Sequence, residues 1–377
     1  MKKHILFFIQ SLSGGGAEKV LTTLLKHIDY TKYEVTLMPL IDMGVLRDEI
    51  DMSRLNYKPV ICEAKNAWQR FWNKVKYKLI YHYLPCKVVN RWIIPQKGVD
   101  VYIAFIEGFA TKLISYSPKK KIAWVHADLK TDPWTLNQHV FSSLDEEKKT
   151  YKRFNKVICV SQLVEQVMRE HYELKQATTI HNPIDTNDIL EKVKLPLNID
   201  IPSSFNIVTV GRLVPEKGFD KLISVIGKLR HEGKDVQLFI IGEGRERKHL
   251  ENIIYKNDLQ DIVHLIGFLK NPYPLMNKMD LFACSSIAEG YSLVIAEAMT
   301  LGLPVISTEC AGPKELLDNG HYGLLVANNE QGLHDGIDEL YKNSLILNEL
   351  RQKSLTRSKV FGLIETLKAF YLNIDKL

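Results

Sequence analysis

The chain has 377 residues, 45% of them hydrophobic and 25% charged, with a formal net charge of +6. That length exceeds one ordinary core and fits two domains of roughly 150 to 200 residues, and the composition excludes a disordered or fibrous chain. The mildly basic balance allows an anionic ligand or membrane surface without demanding nucleic acid.

The opening MKKHILFFIQ has an apolar core of only about six residues before the polar SLSGGG, too short for a secretory leader, and reads as a first strand. Leu21, Leu24, Leu25 and Ile28 follow at helical spacing, then come the short apolar runs YEVTLMPL, VDVYIAFI, KIAWVH and KVICVS. Alternation of β-rich runs with helical patterns predicts βαβ units and a parallel sheet covered by helices.

Within this half, residues 65–97 (KNAWQRFWNKVKYKLIYHYLPCKVVNRWIIPQK) hold eight Lys or Arg, seven aromatics and no acidic residue. Basic residues interleaved with Trp and Tyr suit the headgroup layer of an anionic membrane; the alternative is an ordinary helix pair with solvated lysines and buried aromatics. No stretch approaches the ~20 apolar residues that a spanning helix needs, so the expected contact is peripheral. A nucleic-acid role for the segment is not expected.

The pattern restarts after HNPIDTNDILEKVKLPLNIDIPSS. FNIVTV leads to a helix with Leu222, Val225, Ile226 and Leu229 on one face, then VQLFIIG, IVHLIGF, MDLFACSS and PVIST. The expected division is a first Rossmann-like domain over 1–185, a second over 186–349, and a helical tail over about 350–377 that returns to the first. The five cysteines are odd in number and form no CxxC pair, which predicts neither a disulfide framework nor a zinc site and suits a reducing, cytoplasmic setting.

Three junctions place glycines or cations where a strand meets a helix, the position at which open α/β sheets bind ligands and helix N-termini offer NH groups to anions. In IQSLSGGGAEKV, Gly14, Gly15 and Gly16 allow close backbone approach to a phosphate; a plain tight turn is the other reading. In IVTVGRLVPEKGF, Arg212 follows a strand and Lys217 comes five residues later, a fixed fork and a mobile point charge suited to a diphosphate; two solvated surface cations are the other reading. In LFACSSIAEGYSLVIAEAM, Glu289 lies in a loop and Glu297 in the second turn of a helix from about Ser292. Both carboxylates sit in apolar surroundings and need partners.

Taken in order, GGGAEKV, WVHAD around His126, HNPID, GRLVPEKG, IIGEG, the E(x7)E spacing from Glu289 to Glu297 and GLPVIST resemble the family 4 glycosyltransferases, the "glycosyl transferases group 1" type. The resemblance covers nearly the whole chain. It implies the GT-B fold, two Rossmann-like α/β domains across a nucleotide-sugar cleft. It also implies roles: Arg212 and Lys217 on the donor diphosphate with the amides of Gly14 to Gly16, and Glu297 on the ribose. Glu289, Gly290 and Tyr291 would lie along the donor hexose, the amides of Ser292 and Leu293 near the phosphates, and His126 near the donor sugar and the acceptor, the other reading of His126 being a satisfied core histidine behind Trp124. Glu243 in IIGEG and the backbone at Phe268 and Leu269 would border the nucleotide.

The implied reaction retains the anomeric configuration. A hexose or N-acetylhexosamine moves from a nucleotide-diphosphate sugar, UDP above all, to a lipid-linked saccharide in surface polysaccharide assembly, at the inner face of the membrane. With no Asp-x-Asp motif in the chain, fixed cations take the place of a metal, so neither metal nor cofactor is expected. Other acceptors (a protein, a teichoic acid, a small molecule), a non-catalytic sugar-nucleotide-binding subunit and an epimerase are the competing readings.

Overall fold

The structure is a computed structural model that describes residues 2–197 and 199–377. It divides into two compact units, Met1–Pro183 with Leu363–Leu377, and Ile184–Gly362. Each is built on one parallel sheet, the Rossmann-like α/β architecture that the alternating pattern predicts.

In the first unit the strands are β1 (Lys3–Ile9), β2 (Tyr33–Pro39), β3 (Asn56–Tyr57), β4 (Val101–Ala104), β5 (Lys120–Val125), β6 (Lys156–Cys159) and β7 (Ala177–Thr179). They lie in the order β3-β2-β1-β4-β5-β6-β7, every pair parallel. β1 is buried from Ile5 to Ile9, because helices cover both faces of such a sheet and leave no wet side to alternate with. Growth of the sheet reverses between β1 and β4, and that switch point is where an open α/β sheet leaves a crevice beyond its strand ends.

The second unit repeats the plan with β8 (Phe205–Val210), β9 (Val236–Ile241), β10 (Val263–Gly267), β11 (Leu281–Cys284), β12 (Val305–Thr308) and β13 (Leu324–Val326). Their order is β10-β9-β8-β11-β12-β13, with the switch between β8 and β11. The helix Phe219–His231 closes over this sheet through Leu222, Val225, Ile226 and Leu229, all fully buried. Strands β3, β7 and β13 are absent from the sequence reading. With two or three residues each, they are too short for an alternation pattern and exist through pairing with a longer neighbour.

The C-terminal tail differs from the expectation of one segment returning from about residue 350. The helix Ser344–Ser358 stays with the second unit, where Ser354 Oγ donates to the Leu303 carbonyl at 2.7 Å and Arg357 Nε to that of Leu316 at 2.8 Å. Only the helix Leu363–Asp375 belongs to the first unit. There Phe370 packs against Phe7 and Trp124 with ring centroids 6.1 and 6.2 Å away. Thr366 donates to the His181 carbonyl at 3.0 Å and Tyr33 to Asp375 at 2.9 Å. The tail divides because Lys359–Gly362, with Gly at its end, breaks the helix and lets each part follow its own apolar face.

Candidate active site

In the second unit the loops after β8 and β11 meet across the switch point. The first runs through Arg212 into a single turn of 3-10 helix, Pro215–Lys217, and then Gly218, which has φ +60° and ψ +34°. A Cβ there would stand 2.4 Å from the Ser285 carbonyl oxygen, so glycine serves both the left-handed conformation and the close approach of the two loops. Ser285 Oγ donates to the Lys217 carbonyl at 2.8 Å, and the Ile287 amide to that of Glu216 at 2.8 Å. Beneath them Thr308, at the end of β12, donates to the Ser286 carbonyl at 2.6 Å.

That stitching brings the Lys217 ammonium onto the Glu289 carboxylate, which also accepts from Ser286 Oγ at 3.2 Å. Both side chains are largely buried, 22% and 14% exposed. Burial alone pulls the Lys217 ammonium down, but the charge and hydrogen bond of Glu289 outweigh it and the net shift is upward. Arg212 is exposed, and its charge acts on Lys217 in the opposing sense. Two cations therefore stand near one strand end with one carboxylate paired to Lys217, an excess of positive charge that a dianionic phosphate group would relieve.

Beyond Glu289 the chain is held from below: the Gly312 amide donates to the Glu289 carbonyl at 2.8 Å. Gly290 and Tyr291 lie against Gly312, and burial lifts the Tyr291 phenol well above its ordinary range. Ser292 stands at the N-cap of the helix Leu293–Thr300, and its buried hydroxyl finds no partner among the described residues. The first amides of a helix lack intrahelical acceptors, so this end presents donors. Glu297 is 3% exposed in the second turn.

Glu243, Phe268 and Leu269 occupy the ends of β9 and β10, farther along the same edge. Glu243 pairs with Arg247 at 2.5 Å, and its carbonyl accepts from the Leu213 amide at 3.0 Å, tying it to the Arg212 loop. Phe268 is half exposed. A groove of about 550 Å³ beside the loop is lined by Pro215, Phe219, Lys221, His249 and Ile287 among others, and by neither Lys217 nor Glu289.

In the first unit, Gly14 has φ +99° and Gly15 is the N-cap of the helix Gly16–His27. A Cβ on Gly15 would meet the Glu18 carboxylate at 2.3 Å. His126 follows β5. Its Nε2 lies 3.0 Å from the Phe105 carbonyl, which can only accept, so Nε2 carries the proton and Nδ1 keeps a lone pair. Burial, only partly opposed by that hydrogen bond, lowers the imidazole to about 3, so it is neutral at physiological pH.

Sequence reasoning passed over several residues here. Ser285 and Ser286 were visible as polar residues ending an apolar strand. Glu107 was visible as an acid inside the apolar run AFIEGF, and it proves 4% exposed with its carboxylate 3.2 Å from the His126 amide.

The basic aromatic segment forms the helix Ala67–Lys78, a π-helical turn Leu79–Tyr83 and the helix Cys86–Ile93. Its aromatics divide. Tyr77 and Tyr81 stack together and Tyr81 packs on Phe109, whereas Trp68, Phe71 and Trp72 form an edge-to-face cluster left 71%, 59% and 49% exposed. The helix Ala67–Lys78 buries no residue at all. No helix among the described residues is long and apolar enough to cross a membrane.

Residues 14–188 match the family model described as Glycosyltransferase Family 4, and residues 200–357 the one described as Glycosyl transferases group 1. A relative from Campylobacter jejuni, named N-acetylgalactosamine-N,N'-diacetylbacillosaminyl-diphospho-undecaprenol 4-alpha-N-acetylgalactosaminyltransferase, is 27% identical over 95% of each chain. The crystal structure of Anabaena HepE with UDP-glucose superposes with a TM-score of 0.76 at 21% identity, over 99% of this chain and 100% of that one. The pneumococcal O-GlcNAc transferase GtfA with UDP and GlcNAc gives a TM-score of 0.74 at 13% identity, over 100% and 99%. These likenesses carry the fold.

Proposed function

The chain belongs to the family 4, or group 1, glycosyltransferases, and we propose that it moves a hexose or N-acetylhexosamine from a UDP-sugar to a lipid-linked saccharide with retention of anomeric configuration. The observation that carries this reading is the stitched pair of loops that sets Lys217 and Glu289 together beside Arg212 and the N-terminus of the helix Leu293–Thr300.

As the glycosidic bond of the donor breaks, negative charge gathers on the departing diphosphate. Fixed cations and helix amides lower that state more than the bound ground state, which is the condition for raising kcat. In the reaction, the diphosphate takes Lys217 and Arg212, and Glu289 turns to the hydroxyls of the sugar. Front-face attack places the acceptor hydroxyl on the side from which the diphosphate leaves, and a phosphate oxygen takes its proton. The cations carry the charge that a metal carries elsewhere, so turnover is independent of divalent ions.

The lipid-linked acceptor is supported by the name of the Campylobacter relative, whose acceptor is linked to diphospho-undecaprenol. It is supported equally by the exposed Trp68, Phe71 and Trp72 in a segment without acidic residues, chemistry suited to an anionic membrane face. The test is UDP release from UDP-glucose, UDP-galactose and their N-acetyl forms with a synthetic undecaprenyl-diphosphate saccharide, with and without EDTA. NMR of the product anomeric proton reports retention. Turnover abolished by EDTA overturns the metal-free account, and flotation with anionic liposomes unaffected by W68S/W72S overturns the membrane contact.

A further inference from the structure

The end of β4 holds a carboxyl group that the reaction above does not use. Glu107 is 4% exposed and has no ion-pair partner among the described residues. Its carboxylate nevertheless accepts a hydrogen bond from the His126 amide at 3.2 Å, and its own amide and the Trp134 side chain also favour the charged form. An amide donor suits an oxygen pair that only accepts, the ionised form, whereas burial suits the neutral one.

We propose that Glu107 is a positioning residue for the transfer reaction: its carboxylate holds the backbone of His126 while the Phe105 carbonyl holds the ring, so the two ends of β4 and β5 fix where the imidazole Nδ1 stands. The inference rests on the reading that His126 lies beside the transferred sugar. Gly108, with φ +80°, leaves room for the Trp134 indole, which a Cβ would approach to 2.7 Å. The neighbouring Glu147 carboxylate, itself held by Thr135 at 2.8 Å and Tyr172 at 3.0 Å, adds like charge.

The groups that face Glu107 are thus His126 at the end of β5, Trp134, Glu147 and Tyr151 on the helix Leu144–Tyr151, and Tyr172. Burial first, with Glu147 adding to it against the hydrogen bonds, pushes the Glu107 carboxyl up to about 7. Its ionised form accepts the stronger, charge-assisted hydrogen bond from His126, so protonation loosens the grip near neutral pH.

The test uses the full chain with ring-labelled histidine, wild type against Glu107→Gln, which keeps the shape and an acceptor oxygen but never ionises. The His126 resonance, identified by its loss in His126→Asn, is expected to step with a midpoint near pH 7 without the large change of ring protonation, and the step is expected to vanish in Glu107→Gln. In UDP-release assays with the UDP-sugar donors named above, wild-type kcat should rise through the same pH. Glu107→Gln should be flat and about ten-fold lower at pH 8, with donor KM within about two-fold.

No step in the wild type, or a step that persists in Glu107→Gln, overturns the proposal, as does a Glu107→Gln enzyme with the wild-type pH profile. Unchanged kcat in His126→Asn, by contrast, overturns the role of His126 while leaving the resonance step to report on the grip itself.

Discussion

Lys217 and Glu289, 72 residues apart in the chain, form an ion pair across the point where the second sheet reverses its growth. The pair is largely buried and hydrogen-bonded, so neither charge is solvated enough to lose its partner at no cost. A ligand that takes both must replace what each gives the other. Diphosphate for the lysine and sugar hydroxyls for the glutamate would do so.

Removing either cation should therefore be read in kcat. Lys217→Ala and Arg212→Ala are each expected to lower kcat by about 100-fold, ~3 kcal/mol of transition-state stabilisation, the scale of a deleted oxyanion donor. Steady-state UDP release checks this, and unchanged kcat in either variant removes that residue from the diphosphate. Because Lys217→Ala also strands Glu289, the double variant Lys217→Ala, Glu289→Gln should be thermally more stable than the sum of the singles by roughly 0.5 to 3 kcal/mol.

The two glutamates should separate in kinetics. Glu289, in the loop beside the cations, is expected to act in the transition state, so Glu289→Gln should mainly lower kcat. Glu297, on the helix Leu293–Thr300 and 3% exposed, is expected to hold the ribose throughout, so Glu297→Gln should mainly raise donor KM. An identical effect of both on kcat would refute the division.

A surface cluster gives a pH-dependent stability prediction away from the site. The His334 imidazolium gains Asp335 at 3.0 Å and Glu232 at 2.8 Å. The Asp335 hydrogen bond first, and Glu232 after it, raise its pKa above the ordinary 6.5 against the opposing pull of burial. A folded pKa above the unfolded one means the stabilisation is full below about pH 6.5 and fades as pH rises through the raised value. The Tm deficit of His334→Asn should thus be larger at pH 5.5 than at pH 9, and a deficit that grows with pH would contradict the pairing.

Phe370 carries the return of the last helix to the first unit. It is fully buried against Phe7 and Trp124, so Phe370→Ala should cost about 3 to 5 kcal/mol from lost burial and the cavity left behind. Denaturant unfolding checks this. A loss under 1 kcal/mol would mean that the helix contributes little to the core.

Much of the fold was legible along the chain, because parallel strands buried on both faces read as apolar runs and their crossover helices as 3.6-residue periods. The cations and glycines of the candidate site were legible for the same reason: they belong to local strand-to-helix junctions. Glu107 was visible only as an acid inside an apolar run, and its burial is not legible until the residues around it close over it.

By itself, then, the sequence determined which residue types stand at each strand end: Gly14 to Gly16 after β1, Arg212 and Lys217 after β8, Glu289 after β11. Those assignments depend on neighbours only a few residues away. Tertiary structure alone decided that Lys217 meets Glu289, that Glu107 grips His126, that Trp68 and Trp72 stay exposed while Tyr77 and Tyr81 pack, and that the tail divides at Lys359–Gly362. Each of these is a contact, or the absence of one, between segments far apart in the chain, set by strand order and by which apolar surface was left to cover.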